Sequence, residues 1–81
     1  DMTVINAGVD HLGTLADTHQ SDAALAAILP LKAADIWYTR MHVAYALKRF
    51  DTVAARKALT ELRQDKHHKV VAAALESLVP E

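Results

Sequence analysis

Apolar residues recur at the three- and four-residue spacing of amphipathic helices in five stretches of this chain. The first predicted helix covers residues 3–16, with Thr3 as its N-cap. Its inward stripe consists of Ile5, Val9, Leu12 and Ala16. Two glycines within it, Gly8 and Gly13, either weaken this helix or allow a neighbour to approach it closely.

The second predicted helix starts at Ser21 or Asp22, since either side chain can cap its free backbone N–H groups. Its inward residues are Ala24, Ala27, Ile28 and Leu31. Pro30 lies near its end, where a proline removes a backbone donor and crowds the preceding turn. We therefore expect the last turn of this helix to break or kink.

Aspartates mark the starts of the other three predicted helices, at Asp35, Asp51 and Asp65. A carboxylate in that position accepts free backbone N–H groups and favours the positive end of the helix dipole. The inward stripes are Ile36, Val43, Leu47 and Phe50 in the third helix, Ala55, Ala58, Leu59 and Leu62 in the fourth, and Val71, Ala74, Leu75 and Leu78 in the fifth. Pro80 is expected to end the fifth helix.

Parts of these helices repeat in sequence. Val43-Ala44-Tyr45-Ala46-Leu47 returns 28 residues later as Val71-Ala72-Ala73-Ala74-Leu75, and the alanine pattern that starts at residue 23 returns 31 residues later at residue 54. Each offset equals the length of one helical hairpin with its turns. The sequence therefore predicts an all-α fold, in which residues 1–81 form a single domain of five antiparallel helices stacked as a short α-solenoid.

The segments that start at the three aspartates resemble HEAT-like repeats, in particular the short repeats of phycobilisome-lyase-type proteins. They share an aspartate, an arginine about five residues later as at Arg40, and an Ala-x-Ala-Leu core. The resemblance implies a right-handed stack of about two and a half hairpins that is used for protein contact. In the following repeat His68 stands where Arg40 does, which departs from the aspartate–arginine ladder of similar repeats. No residue matches a catalytic or bilin-binding position.

Composition excludes several kinds of site. The chain has no cysteine, so disulfides and thiolate metal sites are absent. His67 and His68 adjoin Asp65, but neighbouring side chains on a helix point about 100° apart, so we predict no metal site. The aspartates are explained as helix caps, so we predict a protein that is not an enzyme and has no cofactor. Apolar runs fall short of the roughly 20 residues of a membrane span, and no compartment is indicated.

The net charge of −1 conceals an uneven distribution, because residues 40–69 hold eight lysines and arginines against three acids. The predicted partner-binding residues are the bases of the fourth helix and its flanking turns: Arg49, Arg56, Lys57, Arg63, Lys66 and Lys69. A merely solvated helix face would show the same pattern. We predict a protein-interaction or scaffold module, within a larger protein or assembly, whose partner is an acidic protein. The alternative is a nucleic-acid-binding repeat domain that uses the basic face of residues 48–69.

Two further features leave alternatives open. The fifth helix is apolar around most of its circumference, so its outer face is either an exposed end of the stack or a contact surface, including one for self-association. Trp37 either packs between the first and third helices as an anchor of the core or belongs to an exposed binding site. We favour the core position for Trp37.

Overall fold

A computed structural model describes residues 2–78 of the chain, and the side chains of residues 3–78. These residues form five α-helices and no strand: α1 (Met2–Gly13), α2 (Ser21–Ile28), α3 (Trp37–Leu47), α4 (Val53–Leu62) and α5 (His68–Leu78). A 3₁₀ helix, Leu29–Ala33, continues α2. The predicted all-α fold is confirmed, and the predicted stop at Pro80 lies outside the described residues.

The first two helices start and end differently from the prediction. Because α1 begins at Met2, Thr3 lies inside its first turn and is not its N-cap. α1 ends at Gly13, three residues before the predicted end at residue 16, and the chain continues in hydrogen-bonded turns. Gln20 occupies the N-cap position of α2 without a side-chain hydrogen bond, so neither Ser21 nor Asp22 caps that helix.

None of the three predicted aspartates occupies the N-cap position of its helix, and Asp65 lies three residues before α5 begins. Ile36 occupies the N-cap position of α3, and no side chain caps that helix. Thr52 caps α4, since its Oγ1 accepts a hydrogen bond from the Ala55 N–H at 3.1 Å. Both helices start two residues after the aspartate, which places the carboxylates of Asp35 and Asp51 outside the cap position.

The break predicted at Pro30 is confirmed. α2 stops at Ile28, and the chain tightens into the 3₁₀ helix that contains Pro30. The tighter helix then ends with the Ala34 N–H donating to the Leu31 carbonyl at 3.1 Å. A proline fits the start of this helix because its missing N–H would have no partner there.

The helices pack in two layers. α1, α3 and α5 lie side by side with α3 in the middle, while α2, its 3₁₀ extension and α4 form the second layer. The hairpins α1–α2 and α3–α4 each place one helix in the first layer and one in the second. α5 adds a third helix to the first layer. The described residues thus form the predicted short solenoid of about two and a half hairpins.

The core between the layers is thin, and seven of its sixteen buried apolar residues are alanine. Its largest fully buried side chains are Ile28, Leu47, Leu59, Val9, Val43 and Val70. Ala44, Ala55, Ala58, Ala73 and Ala74 fill the spaces between them and expose almost no surface. Four residues predicted to face inward are exposed instead: Ile5, Ala27, Ile36 and Leu75.

The exposure of Leu75 follows from a shift in the repeat. Val43, Ala46 and Leu47 of α3 are buried, and the buried positions of α5 lie 27 residues later, at Val70, Ala73 and Ala74. The sequence match had aligned the two helices 28 residues apart. One residue corresponds to a rotation of about 100°, which turns Leu75 away from the core. In this orientation α5 packs mainly against α3 and α4.

The two glycines of α1 have different surroundings. A Cβ atom at Gly13 would lie 3.3 Å from the Ala46 Cβ and 3.3 Å from the Arg49 Cδ. A Cβ atom at Gly8 would have nothing within 4 Å. Gly13 is therefore the point at which α1 approaches α3 closely, whereas Gly8 has open space beside it.

Replacing each glycine by alanine tests this contact. Gly8→Ala should raise the free energy of unfolding by about 1 kcal/mol, because alanine favours the helix and restricts the unfolded chain. Gly13→Ala should give no such gain, since its methyl group must displace Ala46 or Arg49. Urea unfolding of both variants measures the difference, and equal stabilisation would contradict a close approach at Gly13.

Candidate protein-interaction surface

A buried ion pair joins the turn before α3 to the turn before α5. The Nε and Nη2 atoms of Arg40 donate to the two carboxylate oxygens of Asp65 at 2.7 and 3.0 Å. Its Nη1 donates to the carbonyls of Ala34 and Asp35 at 2.7 and 3.1 Å. The side chains of Arg40 and Asp65 are only 8% and 10% exposed. One guanidinium therefore connects α3 with the turn before it and the turn before α5.

This pair shows that the aspartate–arginine contact between neighbouring repeats is present here. His68 does stand near the Arg40 position of the next repeat, but the contact that joins the two repeats needs only Arg40 and Asp65. Asp65 also accepts a hydrogen bond from the backbone N–H of His67 at 2.9 Å, just before α5 begins. Its carboxylate thus orders the turn as well as the helix contact.

The ion pair shifts the pKa values of both Arg40 and Asp65. Burial is the largest influence on Asp65 and raises the pKa of its carboxyl group, but the hydrogen bonds from Arg40 and the His67 N–H together hold that pKa below its ordinary value. The hydrogen bond to Asp65 raises the pKa of Arg40. Because the carboxyl pKa is lower in the folded chain, the pair stabilises the fold above about pH 4 and loses this effect as the pH falls further.

Five rings follow one another across the first layer beside this pair. The distances between ring centres are 4.9 Å from His42 to Tyr38, 5.3 Å from Tyr38 to Trp37, 4.1 Å from Trp37 to His67 and 4.9 Å from His67 to His68. Trp37 and His67 stack with only 6° between their planes. We call these five side chains, from α3 and the start of α5, the ring row.

Trp37 packs against the core, as we favoured from the sequence, and it also contacts the start of α5. It is half-buried against the edge of the core, and its ring stacks on His67 at the start of α5. Tyr38, one residue later, faces the α1 side and is 42% exposed. Tryptophan therefore contributes both to the contact between repeats and to the surface.

Two oppositely charged side chains border the ring row, Asp10 at its first ring and Lys69 at its third. On the α1 side, Oδ1 of Asp10 lies 2.8 Å from Nδ1 of His42, and the Asp10 side chain is 56% exposed. On the α5 side, the ammonium group of Lys69 lies 5.5 Å from the centre of the Trp37 ring. Asp10 and Lys69 are 59 positions apart in the sequence, and no pattern in the sequence predicted that they would lie beside the same row of rings.

An open groove between α1 and α3 adjoins the Asp10 end. It has a volume of about 300 Å³ and is lined by Thr3, Asn6, Ala7, Asp10, Tyr38 and His42. Asn6 is buried and accepts a hydrogen bond from the Thr39 hydroxyl at 2.9 Å, which ties α1 to α3. No lysine or arginine lines this groove, so Asp10 gives it an acidic character.

His67 is held as a neutral ring by its contacts. Its Nδ1 accepts a hydrogen bond from the Lys69 N–H at 3.1 Å, so that nitrogen carries no proton. Desolvation, followed by the charges of His68 and Lys69, lowers the pKa of His67. A protonated ring would lose the acceptor and place a positive charge at the positive end of α5.

The six bases predicted to bind a partner are all exposed and lie on α4, in the turns that flank it and at the start of α5. Arg49 precedes this helix and Lys66 follows it, so its ten residues separate them by about 15 Å. Arg56 donates to Asp51 at 2.7 Å, and Glu61 on the same helix pairs with Lys32. The structure brings only Lys69 of the six into contact with the ring row.

Two other kinds of site receive no support from the described residues. Their histidines and carboxylates form no group of three that could hold a metal ion. Within residues 2–78, every helix is too short or too polar to cross a membrane.

Helical hairpins stacked in two layers and joined by polar contacts define an α-helical repeat protein. The family model of HEAT repeats matches residues 6–79, and the chain belongs to the HEAT-repeat family. Neither a curated protein nor a solved structure matches the chain. HEAT repeats generally mediate protein–protein interaction or scaffolding and are generally non-catalytic. The closer resemblance to the phycobilisome-lyase type stays a prediction.

Asp65→Asn tests the contribution of the buried pair. It should lower the free energy of unfolding at pH 7 by about 3–5 kcal/mol, because the Arg40 charge stays buried without its partner. The matched control is Asp51→Asn, which removes an exposed pair with Arg56 and should cost less than about 1 kcal/mol. Urea unfolding at pH 7 compares the variants. Equal losses would show that burial adds nothing to the Arg40–Asp65 pair.

Trp37 is the single tryptophan of the chain, so its fluorescence reports on the stacked His67. Since the folded-state pKa of His67 is lowered, the stability it contributes is present above about pH 6.5 and declines as the pH falls below that value. We expect the Trp37 emission and the unfolding midpoint to change together from pH 7.5 to pH 5. His67→Gln should remove this change and His68→Gln should retain it; the reverse result would contradict the assignment.

Proposed function

We propose that this HEAT-repeat domain is a non-enzymatic protein-interaction module whose partner binds at the ring row. The observation that supports this is the exposure of aromatic side chains on a surface where neighbouring helices meet. Tryptophan and tyrosine are enriched among the residues that contribute most to protein binding. Here Trp37 is half-buried and Tyr38 is 42% exposed. Both are therefore available to a partner.

The buried contacts beneath the ring row support the same proposal. Arg40 holds α3 against the turn before α5, and the Thr39–Asn6 hydrogen bond holds α3 against α1. The three helices that carry the surface are thus fixed before a partner arrives. A surface that is already ordered loses less conformational entropy on binding.

Of the six predicted bases, Lys69 borders this surface in the proposal. Lys66 lies three residues before Lys69, whereas the other four bases lie on α4 and next to its two ends. They favour a partner that carries acidic residues at this end. The same bases would give duplex binding that weakens steeply with salt if the partner were a nucleic acid.

Two exposed tyrosines of α3 provide a matched test. The immobilised domain is used to capture proteins from an extract of the organism that encodes it, with Tyr38→Ala and Tyr45→Ala as variants. Tyr45 is 44% exposed but lies outside the ring row, where its hydroxyl donates to Glu76. We expect a partner to be retained by the wild type and by Tyr45→Ala, and its recovery to fall at least tenfold with Tyr38→Ala.

Three outcomes would count against the proposal. Equal recovery with Tyr38→Ala would show that the ring row is not the binding surface. Recovery of no protein above an unrelated bait would contradict the interaction role. A gel-shift assay with random duplex DNA tests the nucleic-acid alternative, and retardation at low salt that disappears steeply as salt is added would favour it.

A further inference from the structure

Two oppositely charged groups border the first three rings of the ring row, His42, Tyr38 and Trp37. Asp10 on α1 lies beside His42, and Lys69 on α5 lies over Trp37. We propose that the ring row binds an extended peptide segment of the partner that carries a basic side chain at one end, apolar side chains in the middle and an acidic side chain at the other end. This inference rests on the proposed function and adds the chemistry of the partner.

The α1 end suits a lysine or arginine side chain. The Asp10 carboxylate is 56% exposed, so a cation can reach it although His42 lies against one of its oxygens. The Tyr38 ring lines the same groove and offers a π face to a cation. The groove volume of about 300 Å³ is sufficient for the end of a long basic side chain. No lysine or arginine among the lining residues competes for Asp10.

The α5 end suits a carboxylate. The exposed side chains of Lys66, His68 and Lys69 lie close together in sequence around the start of α5. Asp65 does not neutralise them at the surface, because its carboxylate is buried and bonded to Arg40. An acidic side chain of the partner would therefore meet Lys69 without a competing surface carboxylate from Asp65.

The width of the layer sets the length of the segment. Neighbouring packed helices lie about 8–10 Å apart, so the distance from α1 across α3 to α5 is roughly 16–20 Å, and the upper value sets the longest segment needed. An extended chain covers this distance in about six residue steps at about 3.3 Å each. Alternate side chains of such a segment point the same way, so its middle apolar residues face Tyr38 and Trp37. A seven-residue segment with the sequence Arg-Ser-Leu-Ser-Leu-Ser-Glu has the required spacing.

Charge reversal on the domain tests this assignment and does not depend on the direction in which the peptide binds. Three capped peptides are compared, the bipolar sequence above and its relatives with arginine at both ends or glutamate at both ends. None contains tryptophan, so binding is followed by the fluorescence of Trp37. The domain is used as wild type, Asp10→Lys and Lys69→Glu, and circular dichroism confirms that each variant folds.

We expect the wild type to bind the bipolar peptide about tenfold more tightly than either relative, because each relative places like charges together at one end. Asp10→Lys should prefer the peptide with two glutamates, and Lys69→Glu should prefer the peptide with two arginines. Asp22→Lys is the control, because it makes the same charge change on α2, in the other layer. It should keep the wild-type preference.

Two results would overturn the inference. One is an unchanged order of peptide affinities in Asp10→Lys and Lys69→Glu. The other is that none of the peptides binds although capture of a partner protein still requires Tyr38. This second result would leave the proposed function in place. Loss of the Tyr38 requirement itself would overturn the proposed function together with the inference.

Discussion

The buried contact between Arg40 and Asp65 is the interaction on which the arrangement of the ring row depends. A guanidinium this far from water needs a partner for its charge and acceptors for its remaining donors. Asp65 supplies the first, and the carbonyls of Ala34 and Asp35 supply the second. These acceptors lie in two different turns, so satisfying one side chain fixes the position of α3 relative to both.

The ring row is a consequence of that fixed position. Trp37 lies at the start of α3 and His67 at the start of α5, directly after the turns that Arg40 holds. Their parallel stack at 4.1 Å needs both helix starts to stay in register. A buried contact that is structural in itself thus arranges the side chains proposed for binding, and the same architecture separates Asp10 from Lys69 across three helices.

The alanine-rich core explains how a chain of 81 residues forms two layers. Small side chains bury little area each, but they let helices approach closely, as they do where Gly13 meets Ala46. Close packing recovers dispersion contacts that larger side chains would otherwise provide. Of the four aromatic residues, Phe50 is buried in the core, and Trp37, Tyr38 and Tyr45 lie at its edge or on the surface.

The sequence by itself determined the helices, the hairpin repeat and the break at Pro30, because helical periodicity and the chemistry of proline act between residues close in the chain. The tertiary structure decided which residue caps α4, how α5 is rotated and where Trp37 packs. It also brought Asp10 and Lys69 to the same row of rings, with Asp10 at the first ring and Lys69 over the third. These features depend on which helices become neighbours, and a spacing pattern within one helix contains no information about its neighbours.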